Sequence, residues 1–405
     1  MRRLPTLFLT ACLVLPACGS SGGAGGSSPA LTLTPDPNST RTATRTRGPS
    51  RTPTRTGGPT YTATRTGGPT NTARPTRTPG PPVTLFVSQN GTDSNPGFTA
   101  EQPLRTVEFA AKLLTPGSTM YVGRGVYRGR VAVTNVAGTE ALPVRILADR
   151  SGEFTGDPNG DVILDADGAS VGLIITNSPF VTVDGFILRG VAPALDPPSA
   201  AVAVRVRGGS DIAVVQHCVI ANAATADGIR VDSSSDVLLF NNLVFAADRG
   251  IVVTGSARRT QIINNSVALT NRAGISLRAS GGAEPSDTQV INNVLQETGP
   301  NVGIDASGGT EGYAGDYNLV FQPEAEDPTA VYNPPEGRGA NDLNVDPLIV
   351  NIAAGDLHLE PGSPAVDSGS GRIDSALEEA LLARSTNSYG SRDRAPVDRG
   401  YHYPR

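Results

Sequence analysis

The sequence predicts an all-β solenoid, a parallel β-helix with a short N-terminal cap helix and an irregular C-terminal cap. Three observations predict it. Residues 228–321 repeat in aligned columns at irregular intervals of just over twenty residues. Each repeat carries apolar residues at every second position, the strand period. And 47 Gly and 33 Pro in 405 residues, with only 10 Phe, 9 Tyr and no Trp, exclude a helical bundle or coiled coil and leave a core of Val, Ile, Leu and Ala.

The net charge of −5 conceals a division of the chain. Residues 1–82 hold ten Arg and one acid, Asp36, whereas 83–405 hold 23 basic and 37 acidic residues, giving charges of +9 and −14. A basic low-complexity segment therefore precedes one acidic globular segment. Met1-Arg2-Arg3 followed by the apolar run Leu4 to Leu15 has the form of a signal peptide over 1–17, too short to span a bilayer. Leu15-Pro16-Ala17-Cys18, followed by a Gly/Ser-rich stretch, resembles a bacterial lipobox, which makes Cys18 the expected site of lipidation and the anchor to the membrane. Residues 18–82 are Thr, Pro, Arg and Gly with almost nothing to bury, so they are expected to be a disordered tether. Cys218 is the one thiol of the globular part.

The globular part begins at 83. Apolar spacing at Leu104, Val107, Ala111 and Leu114, ended by Pro116-Gly117, predicts the cap helix over 104–114. The repeat proper, assigned to 83–340, starts successive units at Gly228-Ile-Arg-Val-Asp232, Gly250-Ile-Val-Val-Thr254, Gly274-Ile-Ser-Leu-Arg278 and Gly303-Ile-Asp-Ala-Ser307, with spacings of 22, 24 and 29. Ala203-Val-Arg-Val-Arg207 is the unit before. One face of these strands is apolar: Val204/Val206, Ile229/Val231, Ile251/Val253, Ile275/Leu277, Ile304/Ala306. A second apolar run in each unit ends in an amide pair, as in Phe240-Asn241-Asn242, Ile263-Asn264-Asn265 and Ile291-Asn292-Asn293. The column Gly185, His217, Asn242, Asn265, Asn293 is expected to take the left-handed conformation of a one-residue corner, and the next, Phe186, Cys218, Leu243, Ser266, Val294, to turn inward. A propeller needs about 40 residues per blade, and a sandwich does not repeat columns. In the C-terminal capping segment, 341–405, Ser375-Ala-Leu-Glu378 reads as a capping box opening a helix that runs to about Ala383.

Leu85-Phe-Val-Ser-Gln-Asn-Gly-Thr-Asp93, Pro103-Leu-Arg-Thr106 and Pro116-Gly-Ser-Thr-Met-Tyr-Val122 resemble the N-terminal signature of bacterial secreted right-handed parallel β-helix proteins of the pectin-lyase-like superfamily. Asp316-Tyr-Asn-Leu319, Asp346-Pro-Leu348, Leu357-His-Leu-Glu-Pro-Gly-Ser-Pro-Ala-Val-Asp367 and Asp398-Arg-Gly-Tyr401 are similar to the C-terminal segment common in that group. The resemblance covers most of 83–405. It implies a right-handed coil and secretion, and, through members of the chondroitinase-B and alginate-lyase type, action on polysaccharide. It says less about reaction, since many members lack catalysis.

A lyase needs a base, a cation to hold the uronate carboxylate and an acid for the leaving oxygen. Lysine is absent from the rungs, Lys112 being on the cap helix. Arg205, Arg207, Arg230 and Arg278 are expected to point outward from one strand column, where with Asp232, Arg249 and Arg272 they form a candidate clasp for an acidic sugar chain. Asp227 and Asp248, before the Gly228 and Gly250 strands, are carboxylates on adjacent rungs, offset by one position, and are the candidate catalytic pair. The pattern departs from polygalacturonase motifs at Arg249 and Ala273. His217 reads as a corner residue, and His358 and His402 have no metal-ligand spacing. Asp161, Asp165 and Asp167 with Asn159 form an acidic cluster suited to Ca²⁺ or to a plain turn. The expectation is a monomeric, surface-anchored lipoprotein that binds an extracellular acidic polysaccharide and, as an enzyme, cleaves it as a lyase or glycoside hydrolase. The alternative is a non-catalytic structural or adhesive β-helix. Nothing is basic and aromatic enough for nucleic acid.

Overall fold

The structure, a computed structural model, describes residues 80–405 except 196, 197, 200, 300, 301, 324 and 326. Cys18, the signal peptide and nearly all of the tether lie outside the described residues.

Alternating strands bury one face only if a second surface covers it, and here the chain supplies that surface by coiling on itself into a right-handed parallel β-helix. The first face stacks Thr84–Val87, Thr119–Val122, Val144–Ala148, Val181–Asp184, Val214–Gln216, Leu238–Phe240, Gln261–Ile263, Gln289–Ile291 and Ala314–Asp316 in one parallel sheet. The other two faces share a 14-stranded sheet, because Val219–Asp232 and Leu243–Thr254 each pass from the second face to the third without a break. On the third face the register aligns Val204, Ile229, Ile251, Ile275 and Ile304, and beside them Val206, Val231, Val253 and Leu277. All are buried, as their alternation predicts.

The amide pairs are offset by one residue from the expectation. Pairing of Val214–Gln216 with Leu238–Phe240 and Gln261–Ile263 aligns His217 with Asn241 and Asn264. The left-handed residues are accordingly Gly185, His217, Asn241, Asn264 and Asn292, the first of each Asn pair. The second Asn turns inward, aligned with Phe186 and Cys218, and is wholly buried. Leu243 and Val294, expected inward, point outward. The reason is hydrogen bonding. At a corner the strand ladder lapses, leaving buried backbone groups without partners. The inward amides restore them: the backbone N–H groups of Cys218, Asn242, Asn265 and Asn293 donate to the Oδ1 of Asn242, Asn265, Asn293 and Asn318 at 3.0, 2.8, 2.9 and 3.1 Å. Their Nδ2 groups donate to the carbonyls of Val215, Leu239, Ile262 and Val290 at 2.8–3.0 Å. Asp342 ends the ladder, accepting from Asn318 N–H at 2.6 Å. Burial raises its carboxyl against the opposing hydrogen bonds.

The repeating Gly228, Gly250, Gly274 and Gly303 meet a spatial constraint. None has positive φ; a Cβ on Gly250 would lie 2.3 Å from Val267 Cγ1 and 2.4 Å from the Gly274 carbonyl oxygen.

The N-terminal cap helix is shorter than its apolar spacing suggests, Val107–Ala111, capped by Thr106 and packed on the core through Leu104, Val107, Ala110 and Ala111. The C-terminal helix, Ser375–Leu382, is capped by Asp374 in place of Ser375. The segment 341–405 is irregular and lies along the flank of the coil. Its Leu357 and Tyr401 cover Leu243, Phe245 and Ala268, and its Leu381 and Val397 cover Phe240 and Ile263. The outward Asn column holds it: Asn241 exchanges two hydrogen bonds with the backbone of His402, Asn264 donates to the Asp398 carbonyl at 2.8 Å, and Asn292 accepts from Ser370 N–H at 2.7 Å. We call this segment the strap.

Replacing Asn265 by Ala strands the Asn242 N–H and the Leu239 carbonyl in the core. The expected loss is about 2–4 kcal/mol in urea unfolding, since each buried orphan costs roughly 1–3; a loss below about 0.5 kcal/mol contradicts the role given to the ladder.

Candidate functional site

The structure brings the residues singled out on the third face together and pairs most of them with one another. Asp227 aligns with Arg249, and Asp248 precedes it, so the predicted offset of one holds. Arg249 bridges the two carboxylates, 3.5 Å from Asp227 and 3.3 Å from Asp248. Arg230 also pairs with Asp227, Arg272 lies 3.2 Å from Asp248, and Arg205 lies 2.5 Å from Asp232. Arg207 and Arg278 are exposed. Asp227 is 2 % exposed. A carboxylate covered by two guanidinium groups and shut from solvent is not presented to a substrate, and arginines closed onto inter-rung carboxylates are not an open clasp. The expected outward arginine row is therefore, for Arg205, Arg230 and Arg249, an ion network that balances charge between carboxylates; Arg272 joins it through Asp248 but, like Arg207 and Arg278, is exposed.

The acidic group at 161–167 separates in a similar way. Asp161 pairs with Arg150, Asp165 with Arg189 at 3.0 Å, and Asp167 with Arg128 at 3.3 Å. Among the described residues, the group of acids close enough to share a cation is Asp367, Asp393 and Asp398, in the strap. Two of them are already engaged: Asp398 accepts from Thr386 and from the backbone N–H of Asp367, and Asp393 from the backbone N–H of Asp398 and from His402 Nε2 at 2.7 Å, and these bonds serve to fold the strap.

A cleft of about 330 Å³ opens elsewhere, on the outside of the first face near its corner with the second. Its floor is Tyr121, Leu147, Ala148, Asp184, Gly185 and His217, on successive rungs. One wall is the loop after Val144–Ala148, carrying Asp149, Arg150, Ser151 and Phe154; the other is the strap, contributing Arg384, Tyr401 and Pro404. Asp149 organises the loop by accepting hydrogen bonds from Ser151, Gly152, Phe154 and Thr155. Burial raises its carboxyl, and these donors more than offset that, leaving it below the ordinary range. Phe154, 46 % exposed, stacks on Tyr121 with ring centres 4.1 Å apart and planes 12° off parallel.

At the floor, His217 Nδ1 lies 2.8 Å from Asp184 Oδ1, and Gln216 donates to Asp184 Oδ2 at 2.8 Å. Burial opposes ionisation of Asp184, but the hydrogen bond from His217, with Gln216 and Arg384, wins and holds it low. An ionised carboxylate can only accept, so Nδ1 carries the proton. Burial, with Arg384 adding and Asp184 opposing, holds His217 below its ordinary 6.5, so it is neutral at pH 7. Its Nε2 is buried with no hydrogen-bond partner. Arg384 is half-buried and, among the described residues, carries no ion pair; burial lowers its pKa, whereas Arg150 is committed to Asp161.

Sequence reasoning assigned His217 a corner and passed over Asp184, Phe154 and Arg384. One signal was available. Other rungs turn from the first face to the second within about two residues, but here thirteen, 149–161, intervene, and insertions in a solenoid gather at its binding face. The approach of Arg384 to Asp184 depends on strap docking, which no local pattern encodes.

A family profile described as a right handed beta helix region matches residues 167–318. No curated protein matches the chain in sequence. Among solved structures, the chain is similar to the GH136 lacto-N-biosidase of Eubacterium ramulus, with 16 % identity, TM-score 0.41, and coverage of 59 % of this chain and 56 % of that one. It is also similar to an alginate lyase from Paenibacillus sp. str. FPU-7 (18 %, TM-score 0.40, 60 % and 77 %) and to the pectate lyase Pel9A (13 %, TM-score 0.41, 72 % and 93 %). The chain thus spans little more than half of the lacto-N-biosidase. At these identities the likeness concerns the fold alone.

The state of His217 is open to measurement. An unfolded histidine takes its proton near 6.5 and the folded one resists it, so His217 costs stability as pH falls below about 6.5. Asp398, raised to about 6 by burial, acts in the opposite sense, binding a proton more readily when folded. Comparison with His217→Asn, which suits the left-handed corner, isolates the histidine. Between pH 7 and 5 the variant is expected to lose less stability in urea unfolding than the wild type; parallel curves mean that His217 takes up its proton as readily in the fold as in the unfolded chain, and a variant that loses more means that the fold holds it charged.

Proposed function

We propose that this chain is an extracytoplasmic, lipid-tethered and monomeric β-helix protein that binds an acidic polysaccharide in the cleft beneath the strap. The stacked Tyr121–Phe154 pair carries the proposal. An aromatic face exposed beside convergent polar groups is what a sugar ring needs, since its C–H face packs on the ring while its hydroxyl edge finds donors and acceptors. Arg384, without an ion pair among the described residues, provides positive charge on a globular part whose charge is −14. Lipidation of Cys18 and the tether 18–82 supply the display.

A second reading, that the bound chain is also cleaved, is favoured by one observation: His217 is neutral, oriented by Asp184, and has an unpartnered Nε2. Such a histidine is a general base only once a proton is brought to that nitrogen, which is closed to solvent in this structure, so cleavage requires the floor of the cleft to open locally.

Phe154→Ala is expected to weaken binding to polygalacturonate or alginate by about tenfold, or about 1.4 kcal/mol, with Tm unchanged; undiminished affinity removes the cleft as the binding site. On the cleavage reading, the wild type releases oligosaccharides from these polymers and His217→Asn binds them without release. Wild-type binding with neither reducing ends nor ultraviolet-absorbing unsaturated product supports a binding protein. In cells fed labelled palmitate, label absent from the protein, or retained in Cys18→Ser, argues against the anchor.

A further inference from the structure

The cleft has two origins: its floor and aromatic wall belong to early rungs, and its second wall arrives from the C-terminus. Arg384 is the strap's charged contribution. Its guanidinium has lost part of its hydration by burial; Asp184 acts on it through space, but among the described residues no carboxylate pairs with it directly. A bound carboxylate restores both hydrogen bonds and charge through the planar guanidinium fork.

What puts Arg384 there can be followed bond by bond. Asn241 accepts from His402 N–H at 2.6 Å and donates to the His402 carbonyl at 2.9 Å. The next residue, Tyr403, exchanges backbone hydrogen bonds of 2.7 and 3.2 Å with Ser385, the neighbour of Arg384. The carbonyl of Arg384 itself accepts from Asp393 N–H at 3.1 Å, and Asp393 is tied to His402 Nε2 at 2.7 Å. Asn241 is not among the residues lining the cleft. Its side chain is a clasp two hydrogen-bonded steps from the guanidinium.

We propose that Arg384 selects carboxylate-bearing sugars over neutral ones in this cleft, and that Asn241 is the positioning residue that holds it there through His402, Tyr403 and Ser385. The proposal rests on the reading of the cleft as a polysaccharide site. It makes acid selectivity a property of a docked segment, separable from the aromatic stacking that any sugar can use.

The test measures equilibrium binding of the full protein to polygalacturonate and to a neutral galactan. Arg384→Gln is expected to lower affinity for polygalacturonate by about tenfold or more and leave the galactan unchanged, and Arg384→Lys to recover only part of the loss, because charge returns without the fork. Asn241→Gly keeps the left-handed corner, as Gly185 does in the same column, but removes the clasp; it is expected to reproduce the selectivity loss of Arg384→Gln. Asn292→Gly, which frees the strap near Ser370, is expected to leave selectivity intact. Retained selectivity in Arg384→Gln overturns the assignment of Arg384, and an equal loss for both polymers in Asn241→Gly reduces Asn241 to a stability residue. Should the wild type bind neither polymer, the polysaccharide reading fails and the selectivity with it. The clasp is still judged by hydrogen exchange, where Asn241→Gly must speed exchange of the Ser385 and Tyr403 amides, and unchanged exchange rejects it.

Discussion

From Cys218 onward, each corner between the first and second faces takes the backbone out of the strand ladder inside a dry core, and the buried asparagine ladder answers that requirement. An amide side chain has two donors and two acceptor sites, enough to satisfy the N–H of the rung before it and a carbonyl deeper in the coil while remaining uncharged. From Cys218 to Asp342 all the backbone N–H groups of this column donate in one sense along the axis. A valine of similar size fills the volume but leaves those groups without partners, which costs more than its burial returns. The rest of the coil depends on this column, because the stacking of the other two faces presupposes a corner that repeats.

The amide pairs do two jobs with adjacent residues. The inward member joins rung to rung, and the outward member, held left-handed, joins the coil to the strap. This explains why outward residues such as Phe240, Leu243, Phe245 and Ile263 are apolar without being an exposed patch: leucines, tyrosine and valine of 341–405 cover them. The strap covers the flank of the later rungs and ends over the earlier ones, where the first face emerges as the cleft.

The architecture was largely legible, because strand alternation and column repetition are local and redundant. Ile229, Ile251, Ile275 and Ile304 announce one wall of the coil, and the structure stacks them in that register. The assignment of the Asn pairs slipped by one residue, since two identical residues in a row give no internal cue as to which bends the chain and which enters the core. The site was less legible for a different reason. Asp227 and the arginines around it stood out as chemistry-bearing residues on neighbouring rungs, but a β-helix places opposite charges near each other whenever they alternate between rungs, and the pairs that result neutralise themselves. The cleft combines Tyr121, His217 and Arg384, far apart in sequence and joined through packing that no column predicts.

The outer asparagines also measure the molecule. Hydrogen bonds from Asn241, Asn264 and Asn292 reach His402, Asp398 and Ser370, so the strap runs antiparallel to the direction in which rungs are added. A coil of identical rungs has no intrinsic length, and gain or loss of a whole turn is the change its repeating sequence most readily tolerates. Here a gained rung between Asn241 and Asn292 shifts one set of clasps by about 4.8 Å relative to the other, while the strap keeps its length. The coil is in this sense gauged against a ruler made from its own C-terminus, which fixes the number of turns that a repeat leaves undetermined.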